Sequence, residues 1–220
     1  MVDPAGPGPG GRNARRKAAT RERIMIAANL LFGEKGYAET SMEDISAAAD
    51  VAIRTIYLHF ESKAAVLLSF HDAWLDEFVR LVSLRAPGEH VDVALTRALD
   101  TMKAQGWGVD MTADDVKTLP AVPEFIGGGS PEIAGHMLQR WVAAMDELTV
   151  RFREVTGAPE ASLHPRFEAV AVFGAWLTTV LDFRERVLAG TSSETTHVVG
   201  VRAIEAFVAG LGQRPAAGGG

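Results

Sequence analysis

Arg54, Thr55, Tyr57 and His59 carry the most distinctive chemistry in this chain, because four side chains able to meet phosphates or base edges fall within one short stretch. On a helical period they lie with Ala52 and Ile53 toward one open side, while Val51, Ile56 and Phe60 point inward. A guanidinium forks onto the O6/N7 edge of guanine, and hydroxyls and basic groups suit phosphate oxygens, so the set matches a DNA major groove. The alternative is an ordinary helical hairpin within a bundle, which gives no reason for so many polar groups on one face.

A reading helix over about 52–59 needs a partner to hold it, and residues 40–50 have the pattern of one. Thr40 is expected to cap that partner, with Glu43 three residues on completing a capping box. Ile45, Ala48 and Ala49 form its inward stripe, and the alanines at 47–49 leave room for a close, steep crossing. Asp50 stands at the corner, where left-handed backbone is expected and Asp tolerates it better than most residues. Two short helices about a tight turn are the layout of a helix-turn-helix.

The stretch from about Arg16 to Leu84 resembles the DNA-binding half of the TetR-type one-component transcriptional regulators, which are mostly repressors. The resemblance is carried by Ile24-Met25-Ile26-Ala27-Ala28-Asn29-Leu30-Leu31-Phe32, by Gly36-Tyr37, by Thr40 to Ile45, and by Ile56-Tyr57-Leu58-His59-Phe60 followed by Ser62-Lys63-Ala64. Two positions depart from the family pattern: Asp50 stands where Gly is usual, and Ala52 where Ser is frequent. The resemblance implies that Tyr57, His59 and Lys63 hold the DNA backbone, that Thr40 and Ser41 offer hydroxyls or amides to phosphate, and that Ile53, Arg54 and Thr55 face base edges. Tyr57 read by itself also fits a core-edge aromatic with a solvated hydroxyl.

Net charge is −6, but it is unevenly spread. Residues 12–63 carry a net +2 and residues 64–220 a net −7, and Arg12, Arg15, Arg16, Lys17, Arg21 and Arg23 crowd the first helix. Such an arm either neutralises phosphates or is merely solvated; beside a helix-turn-helix the former is expected. There is no cysteine, hence no disulfide framework and no thiolate metal site. The longest apolar stretch, Ala169 to Leu181, is too short to span a bilayer, and Met1 to Gly11 has the Gly/Pro character of a disordered tail.

Beyond Lys63 the periodicity is helical throughout, so the expected fold is all-α: a three-helix DNA-binding domain followed by a larger helical effector-binding and dimerisation domain. The expected boundaries are a tail over 1–14, the reading domain over 15–61, the larger domain over 62–212 and a second tail over 213–220. Helices are expected over about 62–84, 91–105, 113–119, 131–156 and 165–188, with an irregular stretch around Pro120 to Gly129. A last helix follows a Thr191/Glu194 capping box, striped by Val198, Val201, Ile204, Phe207 and Val208.

The helix over 165–188 is apolar on more than one face, which suits a homodimer through the last two helices and a near-palindromic operator. A monomer whose own bundle covers both faces is the alternative. Trp74, Met102, Trp107, Phe125, Met137 and Trp141 are candidate lining for a small, apolar effector, and equally candidates for plain core. The run from Pro131 through Trp141 resembles regulators that answer to fatty acyl or other lipophilic molecules. No catalytic or metal-binding motif is found among the six histidines or the glycine runs, and no cofactor is implied. The expected function is a cytoplasmic, ligand-responsive DNA-binding regulator, a repressor released by its effector. The competing reading is a helical binding protein or enzyme whose N-terminal motif no longer reads DNA.

Overall fold

A computed structural model describes residues 9–107 and 130–189, with 198–199, 202–204 and 206 of the final helix. Among these residues every regular element is a helix, as the periodicity requires, and no helix is long and apolar enough to cross a membrane. The order is α1 (Pro9–Glu39), α2 (Met42–Ala48), α3 (Ile53–Tyr57), α4 (Lys63–Leu67), α5 (Ser69–Val82), α6 (Val91–Ala104), α7 (Pro131–Thr156) and α8 (His164–Ala189). Phe125, the helix expected over 113–119 and the Thr191/Glu194 box lie outside the described residues.

α1 starts at Pro9, inside the stretch expected to be tail, and is interrupted at Gly36, whose φ of 80° and ψ of 167° suit only glycine. The interruption turns Tyr37 inward against Phe32, with ring centroids 5.7 Å apart. It also corrects the expected cap. Thr40 is buried, its hydroxyl donating to the Gly36 carbonyl at 2.7 Å, and the capping box of α2 is made one residue later by Ser41 and Asp44. The Asp44 N–H donates to Ser41 Oγ at 3.0 Å and the Ser41 N–H to Asp44 Oδ2 at 2.9 Å.

The helix expected over 62–84 is two helices, broken at Leu68 (φ −88°, ψ 7°). The cause is burial. Ala64 to Leu68 are all buried in one apolar cluster with Ile24, Ala28, Phe32, Ile45, Ile56 and Phe60, whereas α5 gives a single stripe, Leu75, Phe78, Val79 and Val82, to a second cluster. One straight helix could not serve both. The second cluster continues through Leu95, Leu99 and Met102 of α6, Leu148 and Phe152 of α7, Val172 and Phe173 of α8, and Ile204.

α7 keeps its expected bounds, since Ser130 caps its start and Gly157, in left-handed conformation, ends it. Its first turns reach the other cluster: Ile133 and Met137 pack with the reading helices, and the Tyr37 hydroxyl donates to Glu132 Oε2 at 2.8 Å. Buried Arg85, just after α5, donates to Glu168 of α8 at 2.8 Å and lies 5.1 Å over the Phe152 ring. In the final helix Val199 is buried and Val198 exposed, a one-residue correction to the expected stripe.

A methyl group at Gly36 would meet no atom within 4 Å, so its strain would be purely conformational. Gly36→Ala is expected to lower unfolding stability by about 1–3 kcal/mol. Gly33→Ala, in equally open helical space, should instead leave stability unchanged or raise it by up to about 1 kcal/mol. Urea denaturation of both variants checks the contrast.

Candidate functional site

α3 is five residues long, and Ala52 at its N-cap offers no side-chain hydrogen bond, so the departure noted in the sequence leaves the helix start uncapped. Its position comes from packing instead. Ile56 and Phe60 are buried against α1 and α4, and Asp50 makes the corner with φ 49°, as its residue type allows. Ser46 closes the corner by donating its hydroxyl to the Val51 carbonyl at 2.6 Å, a contact the sequence did not disclose.

Held this way, α3 presents Arg54 and Tyr57 exposed to solvent, with Thr55 and His59 partly exposed beside them. Tyr57 is 54% exposed, which excludes the core-edge reading. Ile53 sits half-buried at the edge of the reading core. Burial, then the charges of Lys17 and Arg21, push the His59 imidazole below its ordinary pKa of 6.5. Arg21 donates to the His59 carbonyl at 2.9 Å and lies 4.0 Å over the Phe60 ring. The opposite corner is acidic: an open groove of about 540 Å³ between α2 and α3 is lined by Glu43, Ser46, Ala47, Asp50, Val51, Ala52 and Ile53.

Three residues expected on phosphate are engaged within the protein. Thr40 is buried as described, and Ser41 spends its hydroxyl on the cap of α2. Lys63 turns its ammonium inward, donating to the carbonyls of Tyr37 and Thr40 at 2.8 and 2.9 Å, 4.2 Å from the centre of the Tyr37 ring. It therefore ties α4 to the interruption in α1. Asp44 is held well below the ordinary carboxylate range by hydrogen bonds from Lys35 and Ser41.

The expected effector residues separate into two places. Met102 is wholly buried in the larger core, and Met137 belongs to the reading cluster, against which Trp141 and Trp176 also pack. Trp74, Trp107 and Trp141 are partly buried against the larger core. Trp176, read from sequence only as part of an assembly helix, is the centre of the aromatic group: Trp141 lies edge-on to it at 4.8 Å, Trp74 at 5.9 Å and His71 at 5.8 Å. The Trp141 Nε1–H is buried without a hydrogen-bond partner, and such a donor is costly to leave unmade.

Between the two clusters lies an ionic junction. His136 Nε2 pairs with Asp72 Oδ2 at 2.8 Å, and Arg140 bridges Asp72 and Asp76. His136 Nδ1 also lies 3.8 Å from Glu61. Among the described residues no group of three or more His, Asp or Glu is placed to hold a metal ion.

The fold and this site define a helix-turn-helix transcriptional regulator with a helical C-terminal body. The family model described as "Bacterial regulatory proteins, tetR family" matches residues 24–70, so this N-terminal segment is of the TetR type. It is 28% identical over 163 residues to the HTH-type transcriptional regulator EthR of Mycolicibacterium smegmatis, covering 69% of each chain. It is likewise 28% identical over 177 residues to the HTH-type transcriptional regulator TcmR of Streptomyces glaucescens, covering 78% of this chain and 74% of the relative. Among solved structures it shares its fold with the SmeT–triclosan complex, at 20% identity and a TM-score of 0.54, over 87% of this chain and 91% of that one. The fatty acid degradation regulator FadR from Bacillus halodurans is similar at 20% identity and a TM-score of 0.53, over 89% and 97%.

Burial raises the Asp72 carboxyl, but the side chains of His71 and His136 and the charges of His136 and Arg140 outweigh it, leaving its pKa below the ordinary 3.8. A depressed carboxylate pKa adds stability above the unfolded value, and that stability is lost as pH falls through the folded one. Asp72→Asn should therefore cost about 1–3 kcal/mol at neutral pH, with the gap to the parent protein closing only below the ordinary value of 3.8. Urea midpoints at neutral and acid pH check this; a gap that does not change with pH would contradict it.

Proposed function

We propose that the protein is a homodimeric, ligand-responsive repressor that binds a near-palindromic operator and leaves it when a small lipophilic effector enters the C-terminal body. The observation that carries the DNA-reading part is the exposed Arg54 and Tyr57 on a helix whose other face is locked by Ile56 and Phe60. Arg54 and Thr55 face base edges, and Tyr57 and His59 meet the backbone. The protein acts in the cytoplasm, where DNA and a small-molecule signal are both available.

Pairing of two copies through α8 is supported by a line of exposed apolar residues, Phe167, Val170, Leu177 and Leu181, along a helix face left open among the described residues. Two copies supply two reading helices, and a two-fold pair of half-sites follows from that symmetry. The aromatic group at Trp74, Trp141 and Trp176 is the proposed effector contact. It touches α5, α7 and α8 together, and α7 reaches the reading cluster through Glu132, Ile133 and Met137. An effector that favours one arrangement of α7 thereby biases α1 and α4, and with them the position of α3.

Gel-shift titration of the purified protein with genomic fragments, including the region upstream of its own gene, tests this reading. Saturable binding to a near-palindrome is expected. Arg54→Ala should lose about 1–3 kcal/mol of discrimination for that fragment. Sequence-blind binding by the parent protein would contradict the reading. In sedimentation the parent protein is expected as a dimer, and Leu177→Glu with Leu181→Glu as a folded monomer; an unshifted dimer would remove α8 from the interface.

A further inference from the structure

The face of α1 that packs into the reading core is made of Ile24, Ala27 and Ala28, all buried. Stepping back by three and four residues, that face continues as Arg21, Thr20, Lys17, Arg16 and Asn13. Along one helix stripe the side chains change from apolar to basic where the helix passes the edge of the core. Thr20 and Arg21 are partly buried there, and residues 13–19 are exposed. An inward stripe that is basic where the protein supplies nothing to cover it is shaped for an anionic partner.

The position of this stripe identifies the partner. Arg21 is fixed to the C-terminal side of the reading helix by its bond to the His59 carbonyl and its stacking on Phe60. Lys17 lies one helical turn before Arg21 and near enough for its charge to act on His59. No acidic residue occurs between Asp3 and Glu22, and Arg15, Arg16 and Lys17 have no ion-pair partner among the described residues. From Asn13 to Arg21 the helix extends about 12 Å at 1.5 Å per residue. The stripe therefore runs outward from the His59 end of the reading helix.

We infer that Arg16 and Lys17, on the N-terminal extension of α1, form a second phosphate-binding ledge that grips the DNA backbone flanking the bases read by α3. The ledge rests on the DNA-reading function proposed above and enlarges its footprint. It carries no sequence information, because its contacts are charge to phosphate. Each phosphate neutralised releases counterions and adds about 0.9 to the slope of log affinity against log salt.

The test compares the full-length parent protein, Arg16→Gln/Lys17→Gln and Arg16→Lys/Lys17→Arg on the duplex the parent protein selects from a random-sequence pool, and on a scrambled duplex, across a salt series. The glutamine pair should lower the slope by about 3.6, roughly 0.9 for each of the contacts that Arg16 and Lys17 of both copies would lose, on both duplexes alike. The charge-keeping pair should retain it. Circular dichroism is expected to be unchanged, since both positions are exposed. A parent protein that selects a sequence, with an unaltered slope in the glutamine pair, overturns the ledge and leaves the reading helix standing. A parent protein that selects no sequence overturns both.

Discussion

A five-residue helix has no stability of its own in water, and the whole N-terminal half of this molecule answers to that constraint. Helix nucleation is costly, and α3 makes too few internal bonds to offset it and lacks a side-chain cap besides. Burial of Ile56 and Phe60 must hold it, which requires an apolar floor beneath. α1 and α4 are that floor. The left-handed residue Asp50 and the Ser46 hydroxyl set the angle at which α3 lies on it.

The floor in turn is not closed by the reading helices alone. Gly36 interrupts α1 and leaves carbonyls of Tyr37 and Thr40 within reach of the Lys63 ammonium. That lysine therefore acts as a clamp on α4, and its charge is not available to DNA in the way its position in the motif suggests. Ile133 and Met137 of α7 complete the cluster, and Tyr37 is bonded to Glu132. The surface that holds α3 thus includes the first turns of a helix that also lines the C-terminal core through Leu148 and Phe152. A regulator of this type needs such shared ground, because a ligand can shift DNA affinity only by a packing difference felt at both sites.

Sequence was informative wherever the determinants are local. The corner at Asp50, the exposure of Arg54 and Tyr57, and both ends of α7 follow from residue type and period. Thr40-x-x-Glu43 and Ser41-x-x-Asp44 are both possible capping boxes, and the choice between them was made by the backbone at Gly36. The break at Leu68 has no Gly or Pro to mark it; competition between two apolar clusters causes it. Trp176 and the His136–Asp72 pair join residues far apart in the chain, which helical periodicity cannot reveal.

The proposed function requires α3 to read a defined DNA sequence. The most direct measurement is selection of bound duplexes from a random-sequence pool by the full-length protein, followed by sequencing of the enriched molecules. Enrichment of one motif with two-fold symmetry, its half-sites about one helical turn apart or a multiple of that, is the result expected. A bound pool no different from the input would contradict the account.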